Sequence, residues 1–178
     1  MQFFQQHPDA VICQTEEIWI RNKVRVNPKK RHQKPSGDIF LPSLALCLVS
    51  PSAVMIRRGV FEEVGLFDES LPACEDYDLW LRISARHPVH LIETPLILKR
   101  GGHEDQLSRS DSLDRFRIQS IEKMLRAGEL SKERRVAAVD MLVGKCRIYA
   151  NGCAKREKRD EAAYYLRLAQ SYSEQGKI

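Results

Sequence analysis

A chain of 178 residues and 20.5 kDa is the size of one domain with room for a small appendage, and a globule of that size buries roughly 70% of its extended-chain surface. With 43% hydrophobic and 30% charged residues it is neither a disordered nor a collagen-like chain, and its longest apolar run, Leu44 to Val49, is far too short to span a bilayer. The net charge of +5, with a pI near 9.0, raises the question of an anionic partner.

In chain order, Met1 to His7 reads as helical turns stopped by Pro8, without the basic-then-apolar pattern of a signal sequence. The expected location is therefore cytoplasmic, or peripheral to a membrane surface. Ala10 to Thr15 reads as a strand, and Ile18 to Val26 alternates apolar with polar residues around Asn22-Lys23, as a hairpin does. Pro28 to Pro42, rich in Lys, Pro, Ser and Gly, reads as a loop: either an exposed basic connector or a segment that closes over an acceptor.

Ser43 to Val49 has the composition of a short helix. Ser50 to Arg58 reads as a loop feeding a buried strand, and Gly59 to Val64 as a short helix ended by Gly65. Next comes a turn crowded with carboxylates: Asp68, Glu69, Glu75, Asp76 and Asp78 fall within eleven residues. It runs into an amphipathic helix whose Leu79, Leu81 and Ile83, with Trp80, form a buried face. If Asp76 opens that helix, its carboxylate caps free backbone N–H groups while Glu75 points elsewhere; Arg82 is placed to hold the turn by pairing with one of its acids. From the residues alone a capped, solvated helix start is the favoured reading of Glu75-Asp76, because acidic residues before a helix are common.

Val89 to Ile92 and Pro95 to Leu98 are two strand-like runs split by Glu93-Thr94, and Gly101-Gly102 then delivers His103 in a polar loop. The last third is helical: one helix from Leu113 to a stop at Gly128, a second capped by Ser131 and apolar through Cys153, and a third through Tyr172, the last two as an antiparallel pair. Two basic clusters, Lys29 to Lys34 and Lys155 to Arg159, are open to three readings: solvated loop or helix end, contact with phosphate or anionic lipid, and, least supported, nucleic-acid binding, since interleaved aromatics and helix-turn-helix or finger spacings are missing. The five cysteines, Cys13, Cys47, Cys74, Cys146 and Cys153, form no CxxC pair and are expected as reduced thiols. Cys74, beside two carboxylates, is in the wrong electrostatic setting for a nucleophile.

The segment Phe61-Glu-Glu-Val-Gly-Leu-Phe-Asp-Glu-Ser-Leu-Pro-Ala-Cys-Glu-Asp-Tyr-Asp-Leu-Trp-Leu-Arg82 resembles the acceptor-side "ED" segment of family 2 glycosyltransferases, inverting enzymes of GT-A fold that use nucleotide-sugar donors. The resemblance covers about residues 1–110 and fades beyond. It implies an α/β fold: part of a GT-A, Rossmann-like sheet over 1–110 followed by a helical extension over 111–178. It also implies that only the C-terminal, acceptor-side half of the family domain is represented, the N-terminal nucleotide-binding half with its Asp-x-Asp motif being absent.

By the same resemblance Asp76 is the general base and Glu75 contacts the acceptor or organises the loop, with the two roles open to exchange. Ser50 and Ser52 are candidates for contacts to the donor sugar, although this chain has Ser-Pro-Ser where glycine is common in the family. His103 matches a histidine that ligates the divalent metal or touches the donor diphosphate. Asp68 and Glu69 are divided between turn bonds and acceptor contact. The implied partners are a nucleotide-sugar donor and a saccharide or other hydroxyl acceptor, with a second copy or a separate N-terminal half. The implied cofactor is Mg²⁺ or Mn²⁺ in the complete enzyme, with no stable binding expected by this chain alone, which is expected to be inactive in isolation. Two other classes stay open at this stage: a non-catalytic domain that binds a saccharide or protein, and a basic helical adaptor.

Overall fold

Ten residues, Ile12–Arg21, form the central strand β1, and the rest of the sheet is built on its two edges. On one edge β4, His90–Gly101, runs parallel to it. On the other, β3 (Val54–Ile56) pairs antiparallel with its start and β2 (Val24–Val26) antiparallel with its end. The turn between β1 and β2 uses Asn22 and Lys23 with φ of 48° and 64°, the left-handed pair that a two-residue hairpin needs to match strand twist. The computed structural model describes residues 1–27, 30–101 and 113–175, which fall into two units, Met1–Ser110 and Asp111–Ile178.

Three sequence expectations change in the first unit. Ala10 to Thr15 and Ile18 to Arg21 are one strand, because β1 continues through Glu16 and Glu17. The two runs split by Glu93-Thr94 are also one strand: the pairing of β4 with β1 slips at Thr15/Glu16 and again at Glu16/Glu17, so bulges absorb the extra residues. The short helix, α2, lies at Phe40–Ala45 rather than at 43–49. Asp38 accepts the Phe40 N–H at 3.2 Å, and Pro42 falls in the first turn, where its missing donor costs nothing.

Apolar burial fixes the helices to the sheet. Ile12 and Val89 from the strand region, Ile39, Val49, Val60 of α3 (Gly59–Val64) and Leu79, Trp80 and Ile83 of α4 (Glu75–Ser84) form one buried cluster. Gly65 ends α3 at φ 82°, as a residue without Cβ can. The N-terminal helix α1, Gln2–Gln6, is tied to the sheet by Arg57, which donates to the carbonyls of Ala10 (2.7 Å), Pro8 (3.0 Å) and Phe4 (3.2 Å).

The expectation that the Rossmann-like part of the domain is absent is corrected by this arrangement. It treated the first strand as the tail of a preceding half; instead β1 is the centre of a four-stranded mixed sheet that runs across residues 12–101 with its own helical cover.

The described residues of the second unit form three helices: α5 (Leu113–Ala127), α6 (Lys132–Lys155) and α7 (Arg159–Gln175). Gly128 at φ 73° stops α5, and Ser131 caps α6 by accepting the Arg134 N–H at 3.3 Å. A three-residue connection folds α7 back on α6, where Tyr149 meets the Tyr165 ring edge-on at 4.7 Å and donates to Glu161 at 2.8 Å. Burial pushes the thiol of Cys146 and the phenol of Tyr165 each up to about 12, so neither ionises near neutrality. No helix among the described residues is long and apolar enough to cross a membrane.

Candidate functional site

The acidic turn is anchored from below. Asp78 is buried, with its carboxylate 2.8 Å from the Arg82 guanidinium one turn on. The same guanidinium donates to the carbonyls of Val64, Gly65 (3.3 Å) and Leu66 (2.8 Å), so one half-buried fork ties the end of α3 to α4. Tyr77, also buried, donates its hydroxyl to Leu44 of α2 at 2.7 Å. These contacts fix the backbone that presents Glu75 and Asp76.

Cys74 precedes α4 in the left-handed conformation, φ 64°, and makes no side-chain cap, so Glu75 and Asp76 are the first two helical residues. Asp76 is thus one step inside the helix rather than at its cap. Its Oδ1 accepts the Tyr77 N–H at 2.6 Å, and its Oδ2 lies 3.5 Å from the Cys47 thiol. Cys47 also reaches the Val49 carbonyl at 3.4 Å, which brings the chain leading into Ser50 against the acidic turn. Glu75 and Asp76 are both half-buried, open enough to meet a ligand.

Ser50 is buried where this loop meets the sheet. Its hydroxyl accepts from Lys99 of β4 at 2.9 Å and lies 3.5 Å from the hydroxyl of exposed Ser52. Behind it stands Glu17 of β1, whose side chain is 2% exposed. Glu17 accepts the Trp19 indole N–H at 3.0 Å, with Lys34 at 3.3 Å and Lys99 at 3.8 Å. Burial, the largest influence, pushes the Glu17 carboxyl up, but Ser50, Lys99, Lys34 and Trp19 together outweigh it and hold it below the usual carboxylate range. Lys34 is driven below the ordinary lysine range, first by burial and further by Lys99, against the pull of Glu17. The carboxylate has two cations beside it, while the ammonium is drawn by both Glu17 and Glu16 and repelled by Lys99.

The remaining sequence candidates fall elsewhere. Asp68 is committed to its own turn, taking the Ser70 N–H at 3.0 Å and the Ser70 hydroxyl at 2.6 Å, while Glu69 is exposed. His103 lies outside the described residues. Trp80 is 3% exposed and belongs to the core. Sequence reasoning singled out neither Glu17 nor Lys99, and named Lys34 only as part of the basic cluster from Lys29; a pair of acids, Glu16-Glu17, inside a strand was a further signal. Among the described residues no three His, Cys, Asp or Glu side chains converge to hold a metal ion.

Residues 36–118, which include α2, the Ser50 loop, the acidic turn and β4, match the family described as glycosyltransferase like family 2. Over 75 residues, 42% of this chain, it is 37% identical to an uncharacterized glycosyltransferase of Rickettsia felis and 35% identical to one of Rickettsia prowazekii. The match spans 12% of the first relative and 24% of the second, so this chain corresponds to only a fraction of their length. No solved structure matches. A sheet domain like that of family 2 glycosyltransferases is therefore present near the N-terminus, and the absent nucleotide-binding half expected from sequence is withdrawn.

Proposed function

We propose that the sheet unit acts as an inverting glycosyltransferase of the family 2 kind and GT-A fold, moving a sugar from a nucleotide-sugar donor to a hydroxyl acceptor. The observation that carries this reading is the placement of Asp76: half-buried in the first turn of α4, oriented through both oxygens, and joined through Cys47 to the loop that bears Ser50. Asp76 accepts the acceptor's proton as that oxygen attacks the anomeric carbon. The bond from that carbon to the diphosphate breaks, its electron pair leaves with the diphosphate, and a single displacement inverts the centre.

Glu75 is assigned to holding the acceptor hydroxyl, and exposed Glu69, rather than Asp68 with its turn bonds, to a further acceptor contact. Ser50 and Ser52 face the donor in this scheme. A requirement for Mg²⁺ or Mn²⁺, with His103 as a ligand, belongs to the same proposal by family likeness. The described residues do not by themselves furnish an ion's ligand set, and no step is routed through one.

The test is incubation of the chain with UDP-, GDP- and dTDP-sugars and a panel of saccharide acceptors, with and without Mn²⁺, following nucleoside diphosphate release and the anomeric configuration of the product by NMR. Release coupled to a product of inverted configuration supports the reading; retained configuration, or no release with any donor, contradicts it.

A further inference from the structure

The helical unit contains a recess of about 340 Å³, at the low end of the range for small-molecule sites. It exists because α5 and α7 each pack on α6 and hardly on one another. One wall is the face of α5 on which Arg115, Phe116, Gln119 and Glu122 recur at helical spacing, and the other is Tyr164 and Tyr165 of α7. Tyr164 is 51% exposed, yet it does not stand alone. Its ring meets that of Tyr165 edge-on, with centroids 5.0 Å apart and 86° between the planes, and Tyr165 is backed in turn by Tyr149 at 4.7 Å. Two rings in series therefore prop an exposed aromatic face in one orientation.

The polar groups around that face are planar. The guanidinium of exposed Arg115 lies over the Phe116 ring, 4.4 Å from its centroid. The amide of exposed Gln119 has no hydrogen-bond partner among the described residues. Glu122 is only 12% exposed in its side chain, and its Oε1 accepts from Arg126 at 2.6 Å, which leaves Oε2 as an acceptor. The phenol of Tyr165, pushed up to about 12 chiefly by burial, stays protonated and able to donate.

These features narrow the ligand. A hydrocarbon would cover Arg115, Gln119 and Glu122 without bonding them. A phosphate would meet the Glu122 carboxylate, and the two charged residues of the lining, Arg115 and Glu122, are opposite in sign. A flat base calls for parallel faces, whereas the two tyrosines are perpendicular. A sugar ring is apolar across its C–H face and polar around its rim. It suits one propped aromatic face bordered by an amide, a guanidinium and a carboxylate, each of which offers two hydrogen-bonding atoms side by side.

We infer that the recess between α5 and α7 is a binding site for an uncharged saccharide, which stacks on Tyr164 and hydrogen-bonds through its hydroxyls to Gln119 and Glu122. This stands independently of the glycosyl-transfer reading, since no residue of the acidic turn takes part.

The experiment is saturation-transfer NMR on the full chain with cellobiose, maltose, mannobiose and chitobiose, each titrated to obtain an affinity. At least one is expected to bind saturably, with the strongest transfer to ring C–H protons. Tyr164→Ala should weaken that binding by about three- to tenfold, as loss of one aromatic contact implies, and Tyr164→Phe should largely retain it. Gln119→Ala should also weaken it, whereas Lys132→Met, which removes an exposed charge from α6 outside the recess, should bind as the parent does. Circular dichroism melts establish that each variant is folded. No saturable response to any of the four sugars, or equal affinity in folded Tyr164→Ala, overturns the proposal. Displacement of the sugar by inorganic phosphate overturns it in favour of an anion site, and saturable binding of a decaproline peptide without any sugar response overturns it in favour of a peptide groove.

Discussion

The thiol of Cys47 stands 3.5 Å from Oδ2 of Asp76 and 3.4 Å from the Val49 carbonyl, so a single side chain couples the first turn of α4 to the loop that carries Ser50. A thiol is a weak donor, and a hydroxyl at the same place is a stronger one. Cys47→Ser should therefore preserve stability and any activity, whereas Cys47→Ala, leaving both acceptors without this donor, should cost about 1 kcal/mol in urea denaturation. Equal stability of the two variants would show that the contact contributes nothing.

The buried carboxylate of Asp78 depends on Arg82. Removing the guanidinium in Arg82→Leu takes the neighbouring cation from that charge and a donor from three carbonyls at the end of α3, with an expected loss of about 1–3 kcal/mol. Arg82→Lys should recover only part of it, because one ammonium cannot reproduce the fork. Chemical denaturation midpoints at constant m-value decide the matter.

Glu17 makes stability depend on pH in a definite sense. Its folded-state pKa is depressed, so between that value and the unfolded value of about 4.3 the unfolded chain binds more protons. Its contribution is complete above the unfolded pKa and disappears as pH falls through the folded one. In Glu17→Gln this part of the acid-side slope should be missing, measured as the difference in unfolding free energy between parent and variant from neutral pH down through the carboxylate range. A parallel decline in both proteins would mean that Glu17 is not held ionised by its cations.

Much of the chain was legible because its signals are local. Gly59 to Val64 with its Gly65 stop, the Asn22-Lys23 hairpin, the buried face of α4 and the cap at Ser131 are each set by a few adjacent residues, and each forms where the pattern places it. The continuity of β1 and β4 was hidden for two reasons: Glu16-Glu17 interrupts the apolar alternation of one, and bulges absorb Glu93-Thr94 in the other. The acidic turn could be picked out from its carboxylates, but its ties to Cys47 and Leu44 could not. The Glu17 cluster was invisible for the same cause, since residues 17, 34, 50 and 99 meet only when β4 lies beside β1 and the loops fold over them. A charge in a strand has no periodicity that announces its partner.

The role of Asp76 is tested most directly by comparing turnover of Asp76→Asn and Glu75→Gln with that of the parent protein, on whichever donor and acceptor support transfer. Asp76→Asn keeps the shape and one hydrogen-bonding oxygen but removes the base, so kcat should fall by roughly 10²–10⁴-fold with donor affinity little changed, while Glu75→Gln loses less. Melting curves on the same samples separate a loss of chemistry from a loss of fold. Near-normal turnover in folded Asp76→Asn would contradict the account: with Glu75→Gln inactive the two roles would exchange, and with both variants active the acidic turn would be structural.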